Sequence, residues 1–567
     1  MKTLAGKRVY SLIALALVGL TWLILGQPLA RPAEAHPTEY SNATSPRLTC
    51  GEVSPGGEPP RRYRPCEVVL SGRRIQDINA LVDAVRDDSH NTLTLQPRQP
   101  PTIKIGGKYV RRYYIQTSDT IPAPLIVRRI RRIAERLAPG GATDPNRVGA
   151  DPNRVLGTPW VISGSPWHAP GGPAPALARD QFEGQWALTV AHGIGLTGRD
   201  GQRRVSYQGR GISVGVFDTA PISGNITTTI SITRTGATFT VVDPLQVDPL
   251  PPPTAGNTMG SHGLFVLGLV YALAPESRIT LVRILDNQGQ GTVMGLYEAL
   301  QRYTEAETAR PDFAGGVINL SLGVDLDSPA TGEDDTDIQT LKEVLDETRA
   351  LGFVIVAAAG NQSTAATPQP PQLPASHPGV IGVTSVNYDG QRSCFANSSL
   401  GVAAPGGEGN CSTPTPPPAS GVSAGLTPSP LRGIEGLDAR GPAAPTPSPG
   451  GGCEQWDADH RCLISFMRLE DDYAHYGYWS GTSFSTPLVS GLAALVLEQT
   501  QPAPVVHMTS AERVALINEV EARIYAGAMP GEAALGHGRV DVVRTLYPHQ
   551  LFLPGVYTAA SLPGSAP

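Results

Sequence analysis

The chain has 567 residues, which is too long for one ordinary domain and predicts a large core domain with additional segments. Hydrophobic residues make up 40% of the chain and charged residues 17%, so most of it can bury a core. The formal net charge of −6 argues against nucleic acid or an anionic membrane surface as the main partner.

Residues 1–35 have the features of a signal peptide. Lys2, Lys7 and Arg8 precede an uncharged apolar run from Val9 to Gly26, and Ala33-Glu34-Ala35 provides a small-residue cleavage site. We therefore expect a secreted, extracellular protein. The alternative is a protein anchored in the membrane by the retained apolar run, which is long enough to span a bilayer.

Six cysteines are present, an even number that predicts disulfides in an exported chain. They fall into a pair and a group of four, and the group of four allows three connectivities. Metal ligation is disfavoured because no C-x-x-C spacing occurs. The six residues are Cys50, Cys66, Cys394, Cys411, Cys453 and Cys462.

Residues 36–180 are expected to form a separate, less regular N-terminal region, either a pro-region or an accessory region, that ends in a linker. Helical spacing occurs in Ile75–Val85 and again in Pro124–Leu137, and a Gly-, Pro- and Asn-rich linker is expected from Pro139 to Pro175. The second helix opposes an apolar face to five arginines, a pattern that could bind a membrane or an acidic surface, although a solvated face is the commoner explanation. The arginines are Arg128, Arg129, Arg131, Arg132 and Arg136.

Short apolar strands alternate with helical segments from about residue 211 onwards. This alternation predicts βαβ units and an α/β fold, in which a mainly parallel sheet is flanked by helices in three layers. We assign this core to residues 181–548, followed by a C-terminal tail at 549–567. The expected strands are 212–217, 279–285, 317–322, 353–358 and 380–386, and the expected helices are 262–274, 292–303, 337–351 and 486–497.

The stretch 407–475 interrupts the alternation. Its centre, from Pro414 to Gly452, is dense in Pro, Ser, Gly and Ala and cannot bury enough apolar surface to form a core. We interpret it as a surface insertion stapled at its edges by cysteines.

Three residues have the chemistry and the chain order of a serine nucleophile with its base. Ser483 follows a glycine turn at the start of an apolar helix, where free backbone N–H groups favour a developing oxyanion. Asp218 ends a strand, and His262 directly precedes another apolar helix. The order Asp, His, Ser is one of the known triad orders.

These motifs together resemble those of the subtilase family of serine peptidases. The matching segments are Val214–Thr219, Ser261–Gly263, Val317–Gly323, Ala358–Asn361 and Gly481–Pro487. The resemblance implies that Asp218, His262 and Ser483 form a catalytic triad and that Asn361 donates to the oxyanion. It also implies a substrate-binding role for two segments, Ser321, Leu322 and Gly323 in one and Ala358, Ala359 and Gly360 in the other.

Two departures from the family pattern stand close to the triad. Ala220 replaces the usual glycine after the Asp motif, and Leu264-Phe265 replaces the usual Thr-His after His262-Gly263. Neither substitution removes a group that transfers protons, so both are expected to alter packing only.

Other motifs compete less well. Ser423 lies in a G-x-S-x-G sequence that lacks the flanking strand and helix, and His192 precedes Asp218, which breaks the chain order. The acidic cluster of Glu333, Asp334, Asp335 and Asp337 could hold calcium, but a solvated loop before a helix is the commoner explanation. No metal site is assigned and no cofactor is expected to be required; calcium is possible but unsupported.

The sequence thus predicts a secreted serine endopeptidase that cleaves polypeptides through an acyl-enzyme and binds no nucleic acid. Membrane association is expected only if the N-terminal segment is retained. We expect apolar or aromatic residues at P1, and a zymogen whose residues 36–180 are removed by the enzyme itself, with a permanent accessory domain as the alternative. The rival functions are a non-catalytic binding protein built on this fold and a sedolisin-like acid peptidase.

Overall fold

A computed structural model of the chain describes a large part of it in detail. The described residues are 63–89, 93–98, 102–117, 123–141, 144, 146–157, 184–220, 227–232, 237–242, 262–286, 289–324, 339–408, 434–438, 453–456, 462–465, 475–500 and 504–549. The predicted signal peptide, the acidic cluster at 333–337, the Ser423 motif, and the tail beyond residue 549 lie outside them.

An α+β unit occupies residues 63–157. Its elements are β1 (Tyr63–Gly72), α1 (Ile75–Asp88), β2 (Leu93–Pro97), β3 (Ile103–Ile105), β4 (Lys108–Thr117), α2 (Ala123–Leu137) and β5 (Gly149–Gly157). Strand β1 pairs antiparallel with β4 on one side and with β5 on the other, while β2 and β3 both pair with β4.

The two helices of this unit bury most of the apolar positions that their periodicity predicts, although Leu137 at the end of α2 is 50% exposed. Ile78, Leu81 and Val85 of α1 are fully buried at helical spacing, and they share a core with Ile130 and Ile133 of α2. Residues 63–157 therefore form a packed unit, where the sequence indicated a less regular region.

Residues 149–157 correct the expected linker. They form β5, which is paired along both edges, and its Asp151 and Asn153 accept hydrogen bonds from distant helices. These partners are remote in sequence, so the Gly, Pro and Asn content gave no indication of them.

The second and larger sheet confirms the predicted α/β fold. Its strand order is β15-β14-β13-β11-β6-β9-β8-β7, parallel throughout except for the β7–β8 hairpin at one edge. The strands are β6 (Ser213–Asp218), β7 (Thr227–Ile232), β8 (Ala237–Val242), β9 (Arg278–Arg283), β11 (Gly316–Leu320), β13 (Phe353–Ala358), β14 (Ile381–Val386) and β15 (Val402–Pro405). Strands β6 and β13 are buried at every position, as expected for a parallel sheet covered on both faces.

Helices flank this sheet and complete the three layers. The helices are α3 (His262–Leu273), α4 (Val293–Thr308), α5 (Gln339–Ala350), α6 (Thr482–Thr500), α7 (Ser510–Gly527) and α8 (Val542–Leu546). Helices α3 and α6 pack against each other and are apolar on all sides, which fits their burial. Helices α4 and α5 also contact each other, and both contact β5 of the N-terminal unit.

Short strands complete the description. They are β10 (Gln290–Thr292), β12 (Gly323–Val324), β16 (Ile434–Asp438), β17 (Cys453–Trp456), β18 (Cys462–Ser465) and β19 (His475–Trp479). Strand β16 lies inside the predicted insertion, pairs with β19, and buries Ile434 in the main core. The strand that leads into the Ser483 motif is thus supported from within the insertion.

None of the helices within the described residues combines the length and the apolar character that crossing a membrane requires. Across those same residues, no group of three or more His, Cys, Asp or Glu side chains is arranged to hold a metal ion.

Candidate active site

Asp218 and His262 form a buried pair at the carboxyl end of the parallel sheet. Asp218 is the last residue of β6, and its Oδ1 lies 2.7 Å from Nδ1 of His262, the first residue of α3. Oδ1 also accepts a hydrogen bond of 2.7 Å from the backbone N–H of Thr219. Because the two side chains are 0% and 1% exposed, solvent screens their interaction very little.

The backbone comes unusually close where the two elements meet. The N–H of Gly263 donates to the Thr219 hydroxyl at 3.0 Å, which ties the start of α3 to the end of β6. A Cβ at Gly263 would lie 2.0 Å from the Thr219 carbonyl oxygen, so any other residue would push the His262 backbone away from Asp218. The glycine of the His motif therefore fixes the distance between the two side chains.

Ser483 is the second residue of α6 and is held from the neighbouring strand end. Its hydroxyl donates to the carbonyl oxygen of Ser321 at 3.3 Å, while the Ser321 hydroxyl donates to the Ser483 carbonyl at 2.8 Å. Behind Ser321 stands Asn319, whose amide bonds both the Ser321 hydroxyl and the Ser490 hydroxyl. This buried chain of hydrogen bonds locks the start of α6 against β11.

Aromatic rings connect His262 with the Ser483 segment. The imidazole centroid lies 5.4 Å from Trp479 in an edge-to-face arrangement and 5.2 Å from Phe484, the residue after Ser483. Phe265, one of the two departures from the family pattern, contacts both Trp479 and Phe484. The cluster links the Asp–His pair to the segment that carries Ser483.

The side-chain amide of Asn361 has a fixed orientation beside Ser483. Its Oδ1 accepts from the backbone N–H of Thr482 at 3.0 Å and from the Thr482 hydroxyl at 2.9 Å. A backbone N–H can only donate, so the oxygen must face Thr482 and the nitrogen is directed elsewhere. Nδ2 lies 3.5 Å from the position that a Cβ at Gly481 would occupy, so the donor is next to the turn that carries the serine.

The six residues expected to bind substrate follow neighbouring strands. Ser321 and Leu322 follow β11, and Gly323 begins β12. Ala358 ends β13, which pairs with β11, and Ala359 and Gly360 follow it. Gly360 has a φ of 111°, and a Cβ there would lie 2.6 Å from the Asn397 amide nitrogen, so glycine is required.

Strand β5 of the N-terminal unit lies beside this site. Gly157 pairs with Gln290 on one edge and with Gly323 on the other, and Leu156 pairs with Gly291 and Val324. The Leu156 side chain is fully buried within the main core cluster. An extended segment of the chain therefore occupies the space between β10 and β12, next to Ser321.

Some contributing residues were not assigned a role from the sequence. Asn319 and Thr482 stand inside the quoted motifs, and their position beside Ser321 and Asn361 was the only signal available. The ring of His192 stacks on that of Tyr388, with 3.9 Å between the centroids, which agrees with its structural interpretation.

Comparison with known proteins identifies the family. The family model of the subtilases matches residues 209–523, more than half of the chain. This chain belongs to the subtilase family. Membership of this family makes it a serine-type endopeptidase. The resemblance to the subtilases that the motifs indicated is confirmed.

Individual subtilases share part of the chain. Subtilisin DY of Bacillus licheniformis is 29% identical over 231 residues, which cover 39% of this chain and 73% of that protein. Subtilisin E of Bacillus subtilis (strain 168) is 29% identical over 238 residues, 40% of this chain and 55% of that protein. Fervidolysin from Fervidobacterium pennivorans, a keratinolytic enzyme related to subtilisin, has 17% identity and a TM-score of 0.48, covering 88% of this chain and 62% of that one.

Proposed function

We propose that this subtilase is a secreted endopeptidase that hydrolyses peptide bonds with Asp218, His262 and Ser483. The observation that carries the proposal is the buried 2.7 Å contact between Asp218 and His262, joined by aromatic contacts to the segment that presents Ser483. A serine needs a base and a group that orients the base, and these three residues supply both.

The proton transfers follow from the geometry of His262. Its Nδ1 is engaged by Asp218, so the proton sits there and Nε2 is the basic nitrogen. Ser483 leaves its weak bond to the Ser321 carbonyl by rotating about χ1, and Nε2 accepts its proton as the oxygen attacks the peptide carbonyl. Asp218 stabilises the imidazolium, which then protonates the leaving amine.

Two donors stabilise the oxyanion in this scheme. The backbone N–H of Ser483 lies in the first turn of α6, where N–H groups lack intrahelical acceptors. Asn361 supplies the second donor through Nδ2, because Thr482 holds the opposite side of its amide. Water then attacks the acyl-enzyme, Nε2 accepts its proton, and Ser483 is restored as the acid product leaves.

Polypeptide substrates are proposed to bind as an extended strand between β10 and β12. In the structure, residues 155–157 of β5 pair antiparallel with β10 on one edge, and residues 156–157 pair antiparallel with β12 on the other. This pairing supports recognition of the substrate main chain, which tolerates many side-chain sequences. Leu322, Ala358 and Ala359 are uncharged and buried, which supports apolar or aromatic residues at P1.

We further propose that residues 36–180 form an inhibitory pro-region and that the protein is a zymogen. The contacts of the N-terminal unit with the catalytic core support this, since β5 fills the proposed substrate cleft. Lys108 pairs with Glu343 at 2.8 Å, and Glu347 accepts from the N–H of Gly107 at 2.8 Å. A permanent accessory domain is the alternative.

Secretion is proposed because residues 1–35 have the features of a signal peptide. The alternative is that this segment is retained as a membrane anchor. Cys66 and Cys394 each take part in a disulfide whose partner lies outside the described residues, which supports an oxidising compartment. Calcium is not needed for any step described.

Labelling with a fluorophosphonate probe tests the proposed function. Wild-type protein from which the N-terminal region has been released should be labelled at Ser483, and Ser483→Ala should not. Absence of label would favour a non-catalytic binding protein. An activity that persists under acid conditions and survives His262→Ala would favour a sedolisin-like mechanism.

A further inference from the structure

The loop that carries Asn361, residues 359–363, begins where strand β13 ends at Ala358. Gly360 in this loop has a φ of 111°, a conformation that glycine adopts far more readily than other residues. Outside a strand or a helix, the buried N–H and C=O groups of a loop must find other partners. The conformation of this loop therefore depends on the groups that bind its backbone.

Asn397 binds the loop on both sides of Asn361. Its Nδ2 donates to the Ala359 carbonyl at 3.2 Å, and its Oδ1 accepts from the backbone N–H of Gln362 at 2.9 Å. The backbone N–H of Asn397 donates to the Gly360 carbonyl at 2.9 Å. One residue thus joins the backbone before the proposed oxyanion donor to the backbone after it.

Side chains of the loop complete the bonding of the Asn397 amide. Nδ2 also donates to Oε1 of Gln362 at 2.8 Å, and Oδ1 also accepts from the Ser363 hydroxyl at 3.0 Å. A backbone N–H can only donate, so the bond from Gln362 fixes which atom of the amide is the oxygen. Asn397 is 1% exposed, and displacing its amide would therefore leave several buried polar groups without partners.

Gly360 allows this close approach. A Cβ at Gly360 would lie 2.6 Å from Nδ2 of Asn397, so the amide occupies the space that a larger residue would need. The N–H of Gly360 donates to the Thr482 hydroxyl at 3.3 Å. The loop is thus bonded both to Asn397 and to the start of α6.

The segment that carries Asn397 is itself held at several points. The Phe395 carbonyl accepts from the N–H of Ser363 at 3.0 Å, and the Phe395 side chain is fully buried. Arg392 donates to two carbonyl groups just beyond the loop, at 3.0 and 3.3 Å. Cys394 takes part in a disulfide. The segment can therefore act as a firm support for the loop.

Two separate constraints consequently act on Asn361. Thr482 sets which atom of the Asn361 side-chain amide faces the serine segment, whereas Asn397 holds the backbone that carries this side chain. The backbone constraint matters because a catalytic group displaced by about 1 Å can lose roughly a hundredfold in rate. Freeing the loop would allow such a displacement even though Asn361 itself is unchanged.

We propose that Asn397 is a positioning residue for the oxyanion hole and acts through Asn361. The inference rests on the proposed function, in which Asn361 donates to the oxyanion of the transition state. That donor acts on charge that develops only in the transition state, so loss of Asn397 should lower kcat and leave KM nearly unchanged. A residue that only stabilises the fold would lower the thermal midpoint without this selective effect.

A double-mutant cycle between Asn397 and Asn361 tests the proposal, with a chromogenic peptide as substrate. Every variant is brought to the same processed state as the wild type by an unrelated protease that is removed before the assay. Asn397→Ala should lower kcat by about 10- to 100-fold and change KM by less than about twofold. In the Asn361→Ala background the same replacement should lower kcat by less than about threefold, because the donor through which it acts is already absent.

Ser363→Ala is a milder variant that tests the same role if Asn397→Ala does not fold. It removes one of the two hydrogen bonds to Oδ1 of Asn397 and should lower kcat by about two- to fivefold. This loss should also disappear in the Asn361→Ala background.

Ser399→Ala is the matched control. Ser399 is a buried residue of the same segment, but its hydroxyl bonds the Gly382 carbonyl at 2.7 Å and the Gly401 N–H at 2.9 Å instead of the loop. Its replacement should lower the thermal midpoint and change kcat by less than about twofold in both backgrounds.

The cycle separates failure of this inference from failure of the proposed function. An equal factor of loss for Asn397→Ala in both backgrounds, a loss confined to KM, or an equal kcat loss in Ser399→Ala would overturn the positioning role and leave the peptidase assignment intact. A wild-type protein without turnover would refute the proposed function and this inference with it. Wild-type kcat in Asn361→Ala would refute the oxyanion role, through which Asn397 is proposed to act.

Discussion

The Asp151 carboxylate in β5 accepts a hydrogen bond of 2.8 Å from the backbone N–H of Thr340, in the first turn of α5. Asn153, two residues later, accepts from the N–H of Met294 in the first turn of α4 at 3.3 Å. First-turn N–H groups have no intrahelical acceptor, so one strand of the N-terminal unit caps two helices of the catalytic core. The same strand ends in the proposed substrate cleft.

Asp151→Ala should therefore loosen the inhibitory contact. Loss of a cap costs about 0.5–2 kcal/mol, so the rate of Ser483 labelling in the uncleaved chain should rise by roughly tenfold. Asp77→Ala, which removes an acid from α1 that pairs only locally with Arg74, is the matched control. Equal labelling rates in the two variants would contradict this role of Asp151.

Substitution of the proposed triad should abolish activity with different effects on stability. Ser483→Ala should lower kcat by roughly 10⁶-fold and leave the thermal midpoint unchanged. His262→Ala should do the same and also destabilise the fold by about 3–5 kcal/mol, because it strands the buried Asp218. His262 contacts Oδ1 of Asp218, and within the described residues Oδ2 has no hydrogen-bond partner.

Kinetics with a chromogenic peptide and thermal melts measure the two effects. Ser423→Ala, in the competing G-x-S-x-G sequence, serves as the control and should retain full activity. Near-wild-type turnover in Ser483→Ala or His262→Ala would remove the triad assignment.

Asn361→Ala should lower kcat by about 10²–10³-fold with little change in KM, since its donor acts on charge that develops in the transition state. Thr482→Val removes one of the two hydrogen bonds that hold Asn361 Oδ1, so it should lower kcat by less than Asn361→Ala does. Thr482→Ser keeps the hydroxyl and should therefore restore kcat. A loss confined to KM in Asn361→Ala would argue for substrate binding instead of oxyanion stabilisation.

The sequence predicted the residues of the site more fully than the surface around it. Asp218, His262 and Ser483 are recognisable because each adjoins a local signal, a strand end or a helix start. The parallel sheet was predictable from alternating apolar segments, and Ile212–Phe217 is confirmed within one residue as Ser213–Asp218.

Strand β5 could not be predicted in the same way. Its Gly, Pro and Asn residues are typical of a linker, and the pairing with β10 and β12 depends on partners more than 130 residues away. The support of Asn361 by Thr482 likewise depends on two segments that meet only in the folded chain.

A buried carboxylate on α7 predicts a pH effect on stability. Burial raises the pKa of Glu521 above its ordinary value, although Arg349 at 2.9 Å acts in the opposite direction. A raised pKa in the folded state means that stability is greatest at acidic pH and is lost as the pH rises from the unfolded pKa through the folded one.

Glu521→Gln avoids that ionisation and keeps an acceptor for Arg349, so its stabilising effect should grow between pH 4 and pH 7. Urea unfolding of both proteins in the Ser483→Ala background measures the difference. Glu519→Gln, at an exposed position on the same helix, should show no such trend. A pH-independent difference for Glu521→Gln would exclude the burial effect.

The contact between Trp479 and His262 predicts a kinetic role for an aromatic ring next to the base. Trp479 is 1% exposed and meets the imidazole edge to face, so it limits the orientations that His262 can adopt. Aromatic pairs contribute about 0.5–1.5 kcal/mol beyond burial, so Trp479→Leu should lower kcat by roughly two- to tenfold without changing KM, and Trp479→Phe should recover most of the loss.

Trp186→Leu is the matched control, because Trp186 is also buried but packs on Tyr388. It should lower the thermal midpoint and leave kcat intact. If Trp479→Leu and Trp186→Leu lower kcat equally, the effect of Trp479 is one of general stability and the positioning role is wrong.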